Sequence, residues 1–307
     1  MLQDDVSDTC HPCHQTLKYV KLRGTRVRRD GVRLLLIYCL ALEGIRCNIM
    51  DVLQAMSSFI KEDKSRFDGS SLTMRYFDFS SCFEIFAPNL DYLPKLEEVR
   101  IGADVPPECK KMSRKHRNEV RPSSEKICAS LKCLQKLHCL QTLVLKDVTN
   151  SELESVLSHC GKKLQRLEVH FMMTGVDLAV INKFAHSITN LSICDSRIFY
   201  SSASSRRFLP LLTHCKLMRV TYEDNSDTII LSNCHNLKVL HQEAGPGISD
   251  DLIVSLLVLG KINNLQELVI NGDCDLTSVS LSQLVTLPNI IRLIYLLRLT
   301  FTISCSD

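Results

Sequence analysis

The stretch "HCGKKLQRLEV", residues 159–169, sets a cysteine ahead of Leu164, Leu167 and Val169. Alternate residues of a strand face opposite sides, so Leu167 and Val169 share one side. Leu164, three positions earlier, turns inward at the bend before the strand. So short a strand cannot bury an apolar side alone. Its meaning depends on whether the pattern recurs.

It recurs along most of the chain. Good matches are Leu17-Val20-Leu22, Leu96-Val99-Ile101, Leu140-Leu143-Leu145, Leu164-Leu167-Val169, Ile188-Leu191-Ile193 and Leu265-Leu268-Ile270. Weaker ones are Leu42-Ile45-Cys47, Met74-Phe77-Phe79, Leu217-Val220-Tyr222, Leu237-Leu240 and Ile290-Leu293. Most steps are about 20–29 residues, the span of a leucine-rich repeat. The exceptions are 32 (42 to 74) and 44 (96 to 140). Stacked units of this kind bury a continuous core that none could form alone. The rest of each unit is expected to be an outer helix or irregular turn. In "TNSELESVLSHCGKK", Leu153, Val156 and Leu157 fall at helical spacing, with Thr149 or Ser151 as N-cap. "ISDDLIVSLLVLG" has Ser249 as a cap, acids in its first turn and Gly260 as a stop. About ten or eleven repeats are expected by this spacing.

Cysteines keep a place in this register. Cys39, Cys160, Cys215 and Cys234 precede Leu42, Leu164, Leu217 and Leu237, and are read as small apolar groups at the end of each outer helix. The pattern resembles the cysteine-containing leucine-rich repeat of F-box and ribonuclease-inhibitor-like proteins. The fullest stretch is "LKYVKLRGTRVRRDGVRLLLIYCLALEGIRC", and "VTNSELESVLSHC" and "GISDDLIVSLL" echo its helix entry. The resemblance runs from about residue 13 to 295 and implies an α/β leucine-rich-repeat solenoid, a horseshoe with parallel strands on the concave face and helices on the convex one. It also implies substrate recognition for a cullin-based ubiquitin ligase, with ligase components among the partners. No segment reads as the three-helix box that precedes the repeats in F-box proteins, and none is expected, since the first repeat opens at Leu17. Two other readings stand beside this one. One is a stand-alone repeat protein that binds or inhibits a partner. The other is a polyanion-binding module.

Composition narrows the class. The chain has 307 residues, 45% of them hydrophobic, enough for a large core. A net charge of +3 is too small to select nucleic acid through a global field. Fifteen cysteines spread along the chain do not form a compact disulfide framework. The opening "MLQDDVSDTC" lacks the order of a signal peptide, and the apolar runs are too short or too interrupted for a membrane span. A reduced, cytoplasmic protein is expected, with nuclear import as a second option. Residues 1–12 read as a tail. Residues 13–307 read as the repeat domain, with a basic loop inserted at about 103–127. Few polar residues precede the first repeat, and "NIIRLIYLLRLTFTISCSD" is apolar almost to its end. Both ends are therefore expected to self-associate unless covered.

Protein recognition should fall to exposed residues beside the strand leucines. These are Tyr19, Lys21, Arg23, Arg46, Arg100, Lys146, Arg166, Glu168, His170, Arg219, Glu223, His241, Glu243 and Glu267. Their mixed signs fit a polar, charge-matched interface. The insertion carries Lys110, Lys111, Arg114, Lys115, Arg117 and Arg121, a run that suits a polyanion or an import receptor but is more often a solvated loop. It has no interleaved aromatics for stacking single strands. "CHPCH" (Cys10 to His14) has zinc-ligand residue types, yet Cys13 already occupies the repeat-cysteine position. The pairs His138-Cys139, His159-Cys160 and His214-Cys215 track the repeat and are read as core thiols beside exposed histidines. No phosphate loop, metalloprotease helix or serine-hydrolase elbow occurs. No enzyme activity, cofactor or metal is expected.

Overall fold

Strand and turn alternate because each repeat supplies two inward apolar residues and one at the bend. A computed structural model describes residues 13–22, 25, 27–39, 41–46, 75–79, 95–102, 124–172, 174–201, 208–223, 230, 232–243, 249–258, 260, 262–271 and 276–296. The tail at 1–12, the basic insertion and residues 297–307 lie outside them. The chain falls into two units, Met1–Leu140 and Gln141–Asp307.

The first unit runs α1 (Cys13–Thr16), β1 (Tyr19–Lys21), α2 (Arg29–Tyr38), β2 (Gly44–Arg46), β3 (Tyr76–Phe79), β4 (Glu98–Ile101) and α3 (Ser124–Leu131), the last leading into a 3-10 turn at Lys132–Lys136. Strands β1 to β4 pair in order, all parallel. Leu42, Ile45, Leu96, Val99 and Ile101 are buried beneath them. Helix α2 turns Val32 and Leu36 inward, and its C-cap Cys39 is buried.

The second unit runs β5 (Thr142–Lys146), α4 (Asn150–Cys160), β6 (Arg166–His170), β7 (Val176–Asp177), α5 (Leu178–Phe184), β8 (Asn190–Cys194), β9 (Arg197–Phe199) and β10 (His214–Met218). It continues with β11 (Thr221–Tyr222), β12 (Val239–Glu243), α6 (Asp250–Val258), β13 (Glu267–Asn271), α7 (Ser278–Leu284) and β14 (Arg292–Leu296). Strands β5, β6, β8, β10, β12, β13 and β14 form one parallel sheet in that order. This is a leucine-rich-repeat solenoid fold.

Register fixes what faces the core. Leu143, Leu167, Leu191, Cys215, Leu240 and Leu268 are successive cross-strand partners, and all six are buried. Next in line come Leu145, Val169, Ile193, Leu217, Gln242 and Ile270. Gln242 is a buried polar residue in an otherwise apolar row.

The structure corrects the repeat around Leu217. Its true members are Leu212, Cys215 and Leu217, with Cys215 inside β10 in a leucine's place rather than at a helix end. The steps from Ile188 to Leu212 and on to Leu237 then become regular. Arg219 and Glu223 consequently leave the strand. Arg219 follows β10, where its guanidinium grips Asp195 at 2.5 and 2.7 Å. Glu223 follows β11 and pairs with Arg197 at 2.7 Å. Strand β11 belongs to a second, three-stranded parallel sheet, β11-β9-β7, which the sequence reading did not foresee.

Two backbone ladders repeat along the second unit. At strand entry one carbonyl accepts from two successive N–H groups: Gln165 and Arg166 donate to Gln141 O, and Thr189 and Asn190 to Gln165 O. At strand exit, Asp147, Phe171, Asp195 and Arg219 adopt φ of 54°, 55°, 51° and 49°. Each donates its N–H to the last carbonyl of the next strand, those of His170, Cys194, Met218 and Glu243. Aspartate tolerates this left-handed turn well, whereas Phe171 and Arg219 are held in it by the ladder.

The predicted caps form. Thr149 closes a capping box with Glu152, accepting from its N–H at 3.4 Å while the Thr149 N–H donates to the carboxylate at 2.9 Å. Ser249 Oγ accepts from Leu252 N–H at 3.3 Å, and Gly260 ends that segment at φ 62°.

Cys39, Cys160 and Cys234 are buried where the chain turns toward the next strand. Cys139 departs from the core-thiol reading: it stands exposed in the turn before Leu140. The eight cysteines whose side chains are described stand as thiols, outside any disulfide. Burial pushes the thiols of Cys160 and Cys215 up to about 12. A thiol this buried and this weakly acidic is inert toward alkylation. Iodoacetamide followed by peptide mass mapping should leave Cys160 and Cys215 unlabelled in the native protein and label both after denaturation. Fast native labelling of Cys215 would refute the corrected register.

Candidate functional site

A parallel sheet is normally covered on both faces. Here the core covers one face of the second unit's sheet, and the other presents three rows of side chains. The first row is Thr142, Arg166, Asn190, His214, Val239, Glu267 and Arg292. The second is Val144, Glu168, Ser192, Lys216, His241 and Val269, and the third Lys146, His170, Cys194, Met218, Glu243 and Asn271. Neighbours within a row stand about 4.8 Å apart, the spacing of paired strands.

Across β6, β8, β10 and β12 this face holds a groove of about 300 Å³. Arg166, Glu168 and His170 form one wall, Asn190, Ser192 and Cys194 the next, then His214, Lys216 and Met218, and finally Val239 and His241. The sequence reading placed Arg166, Glu168, His170 and His241 here. It missed Asn190, Ser192, Cys194, His214, Lys216 and Met218.

Two carboxylates of this face, Glu168 and Glu267, are matched by cations. Arg166 pairs with Glu168, and His170 Nε2 lies 3.5 Å from the same carboxylate. His241 Nε2 meets Glu267 at 2.8 Å and Arg292 meets it at 3.1 Å. The Cys194 side chain, and after it Glu168, raise the His170 imidazole from 6.5 to about 9. His170 is therefore cationic at neutral pH.

A group whose pKa is raised by folding stabilises the fold while it is protonated. The His170 contribution is complete below pH 6.5 and is lost as pH rises through about 9. Urea midpoints measured across that window should fall with pH in the wild type and fall less in His170→Gln. Equal slopes would show that His170 gains no proton affinity on folding.

Of the other sequence-predicted contacts, Lys146, Glu243 and Glu267 lie on the same face. In the first unit Tyr19 and Lys21 flank Val20 and are exposed. The Tyr19 hydroxyl donates to Glu43 at 3.0 Å, and Lys18 pairs with the same carboxylate at 2.9 Å. Arg100 pairs with Glu98 at 2.9 Å. Arg46 ends β2, and its side chain lies outside the described residues, as does Arg23. The insertion lysines and arginines, and Cys10 to Pro12, lie outside them as well. Among the described residues no group of three or more His, Cys, Asp or Glu is arranged to hold a metal ion, and no helix is long and apolar enough to cross a membrane.

No protein-family model matches the chain, and no curated protein is similar to it. Solved structures do resemble it. An internalin (inlF) from Listeria monocytogenes is 15% identical over 86% of this chain, with a TM-score of 0.46. The chain spans 64% of that internalin's length. An internalin C2 (inlC2) from the same organism is 16% identical over 62% of this chain and 91% of its own, with a TM-score of 0.31. A chain of the yeast Rad7 and Elc1 complex is 12% identical over 86% of this chain and 80% of its own, with a TM-score of 0.29.

Proposed function

We propose that this chain is a protein-recognition module that binds its partner on the open face of the second unit's sheet. One observation carries the reading. A parallel sheet is ordinarily buried on both sides, yet across β6 to β12 the face away from the core holds a groove among the described residues, lined largely by polar side chains and ion pairs. Repeat proteins use such extended faces for binding. Mixed charge of this kind sets specificity and register with a protein partner.

The resemblance to cysteine-containing repeats extends the proposal to substrate recognition for a cullin-based ubiquitin ligase. Burial of Cys39, Cys160 and Cys234 at the turn before the next strand supports that repeat type.

A photo-crosslinking amino acid at Ser192 or Lys146, compared with one at Lys162 on the turn after α4, tests the reading. Both face positions should trap the same partner, and Lys162 should not. Equal trapping from all three positions would refute it. A cullin adaptor co-purifying with the trapped complex supports the ligase role. A single stoichiometric partner without one points to a stand-alone binding protein.

A further inference from the structure

We propose that the part of the groove between β8 and β10 captures acidic side chains of an extended partner segment, with Lys216 as its anchor. This rests on the open face being the recognition surface and adds the chemistry of what it takes.

The argument starts from an imbalance. The one carboxylate that lines the groove, Glu168, has Arg166 and His170 as cationic partners, and Glu267 beside it has His241 and Arg292. Lys216 has none. Among the described residues no carboxylate lies within ion-pairing distance of its ammonium, which is exposed at the middle of the groove. Among the side chains that line the groove the unmatched charge is therefore positive, and Glu243 stands outside that lining, beyond Met218.

Neutral donors gather at the same point. Ser192 is the direct cross-strand partner of Lys216, and Asn190 that of His214. The Asn190 amide makes no side-chain hydrogen bond among the described residues. The Ser192 hydroxyl has only a 3.7 Å contact with Cys194 Sγ. His214 uses Nδ1 against Thr213 at 2.9 Å, leaving Nε2 for a ligand. An ammonium, a hydroxyl and an amide thus stand on two adjacent strands. A carboxylate accepts from donors of all three kinds, and charge-assisted bonds are the strong ones.

Other occupants fit less well. A basic segment would meet Lys216 with its own sign. Nucleic acid would gain the charge, but no Phe, Tyr or Trp lines the groove for base stacking. The site is a small pocket with one free lysine, not a cationic track.

The test uses the full chain with a fluorescent glutamate-rich peptide, its glutamine counterpart and a random peptide display library. The glutamate peptide should bind, weaken with added salt, and bind more tightly than the glutamine peptide. Lys216→Gln should weaken it about tenfold, and Lys216→Glu further. Lys162→Glu, on an exposed turn, should leave binding unchanged. Circular dichroism verifies that each variant folds. Acidic binding that ignores Lys216 overturns the proposal. So does a display selection that yields neutral or basic peptides sensitive to open-face substitutions, although the recognition role then survives. A selection with no binder sensitive to that face overturns both.

Discussion

Leu167→Ala is expected to destabilise the second unit by about 2–5 kcal/mol, the range for a fully buried leucine. Leu167 has no exposed surface and lies between Leu143 and Leu191 in the inner row. Its loss opens a cavity under three strands at once. In a repeat array each unit touches only its neighbours, so the damage should concentrate around β5, β6 and β8. Urea denaturation reads the total and amide hydrogen exchange reads the spread. Exchange should quicken in those three strands well before β13. A midpoint equal to wild type would mean that Leu167 does not face the core.

The inner row was legible because it depends on one physical rule. Leu167 and Val169 are two apart and share a side, and the same is true in every regular repeat. The caps were legible for a similar reason: Thr149 and Glu152 stand three apart at the head of an apolar helical pattern, and they close on each other. The slip at Leu217 has an equally plain cause. Cys215 fills a leucine position, so Leu217 and Val220 offered a better apparent match than Leu212 and Cys215. Even repeat length was the signal that would have corrected it.

That slip hid much of the groove. In the wrong register Lys216 falls in a bend, and Arg219 and Glu223 appear to flank a strand. The rest was missed by residue type. Asn190, Ser192 and Cys194 are uncharged. Yet "NLSIC" carries the information: if Leu191 and Ile193 point inward, Asn190, Ser192 and Cys194 must point outward. The sheet formed by β7, β9 and β11 left no trace, because strands of two or three residues are too short to show alternation.

Phe208→Ala should be the other severe substitution, at about 3–5 kcal/mol for a buried phenylalanine. Between β9 and β10 no helix stands among the described residues, whereas α4 supplies its own repeat with Leu153, Val156 and Leu157. Phe208 fills this layer as one of the largest fully buried side chains of the molecule. Its ring meets Tyr200 edge-on at 6.3 Å. Its carbonyl accepts from Cys234 Sγ at 3.6 Å, and the next residue, Leu209, donates its N–H to Asn182 Oδ1 at 3.0 Å. The segment therefore ties α5 on one side to the turn before β12 on the other. Removing the ring empties a fully buried volume. Phe208→Leu keeps most of that volume and should lose well under half as much. Thermal denaturation of both variants distinguishes volume from aromatic pairing. If leucine is as damaging as alanine, the edge-on contact with Tyr200 holds the layer; if leucine is nearly neutral, packing volume does.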